Sequence, residues 1–165
     1  MIRILFVCHG NICRSPIAEF YMKDLVNREG LADKFEIKSA ATSTEEIWNG
    51  RGNPIYPPAR EILLQNGIGT SDNELGVSAK RAVQLTRSDY DYYDILIGMD
   101  SANIRNMHRM CGGDPLGKIH MMLDYTGRPG SVADPWYSGD FEATWKDVSE
   151  GCLGLLEEIK REYNI

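Results

Sequence analysis

The chain has 165 residues, 42% hydrophobic and 25% charged, with a net charge of −6. That length suits one domain with a real core, and the composition is that of an ordinary globule. The negative balance argues against nonspecific nucleic-acid binding, no apolar run is long enough for a membrane span, and the N-terminus opens on a strand without a cleavage-site pattern, so a cytoplasmic protein is expected.

Residues 2–7 are β-branched and almost all apolar, the pattern of a strand buried on both faces. Directly behind them runs Cys8-His9-Gly10-Asn11-Ile12-Cys13-Arg14-Ser15-Pro16. A helix is expected over about 16–29, with Ser15 as N-cap, Pro16 at the first helical position and Gly30 as the stop. Residues 35–40 read as a second strand. After a loop with two prolines, a helix is expected near 57–66, ended by Asn66-Gly67. The tyrosine-rich stretch 90–93 reads as a helix-to-strand corner leading into a third strand at 93–99. A short helix starts near Ser101, Cys111-Gly112-Gly113-Asp114-Pro115 is a turn, and residues 118–123 give a fourth strand.

The last helix is expected from about Phe141 to Tyr163, burying Phe141, Trp145, Val148, Cys152, Leu155, Leu156 and Ile159. Gly151 and Gly154 inside it each cost about 1 kcal/mol against alanine, which predicts close packing there. Such alternation implies an α/β fold: a single domain, residues 1–165, with a four-stranded parallel sheet and helices on both faces. Ligands of such sheets bind beyond the carboxyl ends of the strands at a switch point, where the loop from Cys8 falls.

Each letter of that loop has a chemical use. A cysteine at a helix N-terminus titrates at about 3.5–7.5 instead of about 8.5, which makes Cys8 the nucleophile candidate. The five residues between Cys8 and Arg14 can curl so that their N–H groups form an anion-binding nest at the helix start. Gly10 permits a turn that a Cβ would resist. The planar fork of Arg14 can grip two phosphate oxygens, which a lysine cannot copy. Ser15 can give its hydroxyl hydrogen to the Cys8 sulfur, and the Asn11 amide can brace the loop from within. A buried cysteine beside a surface arginine in a plain βα turn would need two of these letters, not seven.

Cys8, Cys13, Cys111 and Cys152 form neither a disulfide framework nor a zinc pattern, with Cys111 and Cys152 read as inert buried thiols. His9, His108 and His120 have no metal spacing, and no metal or cofactor is expected.

The run from residue 8 to 16 resembles the signature of the low-molecular-weight protein tyrosine phosphatases. Asp134-Pro135-Trp136-Tyr137 resembles that family's second signature, and the likeness extends through residues 39–43, 98–103 and the C-terminal helix. Asp134-Pro135 alone would be read as a turn. The resemblance implies that Cys8 attacks phosphorus, that Asp134 protonates the leaving phenolate and later activates water, and that the substrate is a phosphotyrosine-containing protein or peptide. Ser39 joins the loop support with Asn11 and Ser15. Trp48, Trp136 and Tyr137 are expected as substrate walls, with His9 and Ile12 contributing from the loop. Cys13 either packs under the loop or forms a protective disulfide with Cys8, as family members do.

Two departures stand out. Lys80 aligns with a histidine that braces the loop asparagine in animal members, and the segments 48–52 and 69–79 are enlarged. Protein-arginine phosphatases resemble the pattern with threonine where Ile12 stands, so isoleucine favours tyrosine. Arsenate reductases need a resolving cysteine pair that is absent here. A non-hydrolysing phosphocysteine carrier or binding module would gain little from Asp134.

Overall fold

Strand β1 (Ile2–Cys8) is the axis of the fold in the computed structural model, which describes all 165 residues. The chain continues through α1 (Arg14–Arg28), β2 (Phe35–Ala41), the hairpin β3 (Ile47–Trp48) and β4 (Arg51–Gly52), and α2 (Pro57–Gln65). Next come α3 (Arg87–Tyr92), β5 (Ile95–Gly98), α4 (Ser101–Cys111), β6 (Ile119–Met121), α5 (Pro135–Ser138) and α6 (Phe141–Tyr163). The main sheet is fully parallel, in the order β2-β1-β5-β6. The chain leaves β1 for β2 on one side and reaches β5 on the other, so the switch point lies at the end of β1, where Cys8 stands.

The near-continuous apolar run of β1 is explained by two cores. Ile2, Ile4, Phe6 and Cys8 pack into the larger one with residues of α1, α2 and α6. Leu5 and Val7 face the smaller one, beneath Tyr90, Met107 and Cys111 of α3 and α4. Helices therefore cover both faces, as the alternation predicts.

The long C-terminal helix has the expected bounds, and its glycines pack as expected. A Cβ on Gly154 would lie 1.9 Å from the Tyr125 carbonyl oxygen, and one on Gly151 would lie 2.8 Å from Met122. α6 thus lies flush on the 3-10 turn Met122–Tyr125.

Several boundaries differ from expectation. The third strand is shorter, because Tyr93 closes α3, which is held by a Thr86–Asp89 capping box. The fourth strand stops at Met121, where the Asp124 carboxylate accepts the Met121 N–H and turns the chain into the 3-10 element. The hairpin β3–β4 and the one-turn α5 carry no periodicity long enough to be read from the sequence. No helix is long and apolar enough to cross a membrane.

Candidate active site

The loop between β1 and α1 is held from outside through its carbonyls. Those of Cys8, His9 and Ile12 accept N–H groups from Thr42, Ser43 and Tyr56, at 2.9–3.0 Å. With its oxygens turned away, the loop presents nitrogens inward, and the Asn11 N–H points at Cys8 Sγ, 3.3 Å away. The left-handed residue is Asn11, at φ 59°, and not Gly10, whose φ is ordinary. A Cβ at Gly10 would meet the flexible Glu46 side chain, 3.3 Å away, and Ile12 at an ordinary contact distance of 3.8 Å. Asparagine tolerates this conformation because its side chain finds local partners.

Those partners fix the direction of a chain of hydrogen bonds. Ser39 Oγ lies 2.5 Å from Glu19 Oε1, and a carboxylate only accepts, so the Ser39 hydrogen is committed to Glu19. Ser39 Oγ then accepts from Asn11 Nδ2 at 2.9 Å, while the second Nδ2 hydrogen goes to Ser15 Oγ at 2.8 Å. The Val83 N–H donates to Asn11 Oδ1, which settles the two ends of the amide. Ser15 Oγ lies 3.0 Å from Cys8 Sγ, and a thiolate there would only accept, with the Ser15 hydroxyl as its donor.

Ser15 therefore does not cap the helix. α1 begins at Arg14, with Cys13 in the cap position and no side-chain cap bond. The serine hydroxyl is spent on the sulfur, and the helix N-terminus stays open toward the loop.

Arg14 is buried and anchored from two sides. Nη1 donates to Asp100 Oδ2 at 2.7 Å and to the Val132 carbonyl at 3.1 Å, and Nη2 lies 3.5 Å from Asp134 Oδ2. Burial pulls the guanidinium down, but Cys8, Asp100 and Asp134 outweigh it and hold Arg14 above its ordinary value. Asp100 is pushed up by burial, yet bonds from Arg14 and from the Asn103 N–H keep it below the usual carboxylate range. Burial pushes the Cys13 thiol upward, with Cys8 and Asp134 adding to the shift, so Cys13 is held protonated beneath the loop.

A cleft of about 110 Å³ opens over Cys8, and its lining includes His9, Ile12, Arg14, Asp134, Trp136 and Tyr137. Asp134 caps α5 by accepting the Trp136 N–H at 3.1 Å. Its loop is tied to the sheet by the Val132 N–H on the Met99 carbonyl. Trp136 leans on Tyr56, with ring centroids 5.0 Å apart. Trp48 is a correction: it stands exposed on the hairpin and is not part of the cleft lining, where Glu45 and Glu46 occupy that side. The hairpin, stitched to the 81–82 segment at Asn53 and Pro54, carries the indole outward.

Sequence reasoning missed Asp100, Glu19 and the backbone of Val83 and Val132. Asp100 carried a readable signal, a cap with Asn103 at the carboxyl end of the strand beside β1. Lys80 supports the loop one residue further back than expected. Its Nζ donates to the Ser39 carbonyl at 3.0 Å and lies 3.6 Å from Glu19, while Asn11 is braced by Val83 and Ser39.

Comparison with known proteins places this geometry. The family model described as low molecular weight phosphotyrosine protein phosphatase matches residues 3–164. The low molecular weight protein-tyrosine-phosphatase YfkJ of Bacillus subtilis is 37% identical over 98% of both chains. Its crystal structure superposes with a TM-score of 0.88 at 36% identity, over 98% of this chain and 96% of that one. A low molecular weight protein tyrosine phosphatase from Streptococcus pyogenes gives 0.80 at 39% identity, over 96% and 93%. A Drosophila arginine phosphatase gives 0.81 at 25% identity, over 96% and 98%.

Proposed function

The chain belongs to the low molecular weight phosphotyrosine protein phosphatase family, and from that premise we propose that it hydrolyses phosphotyrosine in proteins or peptides through a phosphocysteine on Cys8. The observation that carries this reading is the Ser15 hydroxyl aimed at Cys8 Sγ at a helix N-terminus, beside the anchored Arg14.

In the first step the Cys8 sulfur attacks phosphorus and the phosphorus–oxygen bond to the phenol breaks. Asp134 delivers its proton to the departing phenolate oxygen. Loop N–H groups and the remaining Arg14 donors hold the three equatorial oxygens. In the second step Asp134, now a carboxylate, takes a proton from water as that water attacks the phosphocysteine. Phosphate leaves and the sulfur recovers its electron pair, stabilised by the Ser15 hydrogen. Asp100 and the Val132 carbonyl position Arg14, and Asn11 with Ser39 positions Ser15.

Ile12 supplies an apolar wall, and Trp136 and Tyr137 offer aromatic faces at the mouth, which suits a planar phenyl ring. A charged guanidino group would find no partner on the Ile12 side chain. All four cysteines are free thiols, and a thiol nucleophile needs a reducing compartment, so we assign the enzyme to the cytoplasm.

Steady-state turnover of matched phosphotyrosine and phosphoarginine peptides tests this reading. Preferential release of phosphate from phosphotyrosine is expected. Preference for phosphoarginine would transfer the chain to the arginine-directed activity, and accumulation of phosphorylated Cys8 without phosphate release would make it a carrier.

A further inference from the structure

A second, wider depression does not open onto Cys8. It is an open groove of about 680 Å³ beside β2, the terminal strand of the sheet, and it shares no lining residue with the cleft. Its wall carries Lys23 from α1, Lys38 from β2, and Lys80 and Arg81 from the loop that crosses the strand edge. Only two acidic residues, Glu19 and Asp89, line the same space. A net positive groove on a chain of net charge −6 is a local reversal of sign.

The cations are crowded. Lys23 Nζ sits 2.6 Å from Glu19 Oε2, and Lys80 Nζ sits 3.6 Å from Glu19 Oε1, so two ammonium groups share one buried carboxylate. Arg81 spends Nη1 on the carbonyls of Ser78 and Lys80, which leaves the rest of its fork free, and Lys38 is exposed at the mouth. Burial pulls Lys80 below its ordinary range, and the charges of Lys23 and Lys38 add to that shift against the pull of Glu19. Positive charge is thus present in excess of what the groove itself neutralises.

The floor of the groove is also the far end of the hydrogen-bond chain to Cys8. Glu19 and Ser39 line the groove, and Ser39, Asn11 and Ser15 link Glu19 to the sulfur through hydrogen bonds. We propose that this groove binds a small polyphosphate anion, and that the anion slows turnover by drawing Lys23 and Lys80 off Glu19. Lys80 drawn off Glu19 and the Ser39 carbonyl no longer ties down the segment that carries Val83. The Val83 N–H then leaves Asn11 Oδ1, and the Asn11 amide that braces Ser15 beside the sulfur loses its anchor. The effect on rate rests on the phosphatase reading above; the binding site does not.

Tripolyphosphate is the probe, tested on the full chain in two ways. In the first, backbone amides are followed while saturating vanadate occupies the Cys8 loop. Shifts at 38–41 and 79–84 are expected, and their absence overturns the site whether or not the protein turns over substrate. In the second, para-nitrophenyl phosphate hydrolysis is measured with and without the probe. Competition at Cys8 raises KM alone, whereas the groove is expected to lower kcat by about fivefold or more. The K38Q/R81Q double variant keeps its basal kcat and loses this fall in kcat. Inhibition that stays purely competitive, or a fall in kcat that persists unchanged in the double variant, overturns the proposal. Equal potency of tripolyphosphate and ATP identifies free polyphosphate as the ligand, and greater potency of ATP identifies a nucleotide.

Discussion

The loop from Cys8 to Ser15 and the rim above it differ in how completely they are built before substrate arrives. Cys8, Asn11, Arg14 and Ser15 are 3%, 1%, 3% and 0% exposed, and the polar groups at their tips are engaged by neighbours from β1, β2, α1, α4 and the 81–85 segment. Trp136 and Tyr137 are 54% and 87% exposed, and Trp48 is 72% exposed on its hairpin. Groups that must meet developing charge are preorganised, because reorganising dipoles during reaction would raise the barrier. Trp136 and Tyr137, proposed to receive the substrate's ring, are left in water, where burial by the ligand itself would supply the gain.

Substitutions that strike the built region should cost far more than those at the rim, and Cys8→Ser should cost most. Turnover of aryl phosphate is expected to fall by at least about 10⁴-fold while phosphate still binds, as titration calorimetry would report. Arg14→Lys comes next, with a loss of about 10³-fold in kcat, since a lysine keeps the charge but not the fork held by Asp100 and Val132. Asp134→Asn lies on the border between the two regions. It should lower kcat about a hundredfold and leave phosphate affinity near that of the parent, and an unchanged kcat would remove Asp134 from proton transfer.

Glu19→Gln tests whether the comparison reaches as far back as the groove. A glutamine has no charge to hold Lys23 and Lys80, so the support that Lys80 gives the Ser39 strand loosens and kcat should fall about tenfold. KM should stay near that of the parent, because Glu19 is not part of the cleft lining. A drop in melting temperature with no change in kcat would make Glu19 merely structural. Trp48→Ala should do least, with stability within about 0.5 kcal/mol of the parent and less than about a twofold change on a small aryl phosphate.

Much of this was legible in the amino-acid order. β1 is apolar except at Arg3, α6 shows its buried stripe over its whole length, and seven specified letters sit where a strand turns into a helix. Those are local signals, carried by periodicity and by spacing along a single segment. The boundaries that slipped depend on neighbours. Met121 ends its strand because Asp124 claims its N–H, and Ser15 leaves the cap position because the sulfur of Cys8 and the amide of Asn11 claim its hydroxyl.

The alternating α/β order, the place of the Cys8 loop at a helix start, and the residue types able to do phosphate chemistry can all be read along the chain. Packing of distant segments settles that Asp100 and the Val132 carbonyl anchor Arg14, 86 and 118 positions away along the chain. It alone turned Trp48 out of the cleft and set Glu19 at the head of the chain that ends on Cys8. The reason is physical: the direction of a hydrogen bond depends on what every other partner accepts or donates, and those partners are brought together by the sheet's crossovers, not by proximity in sequence.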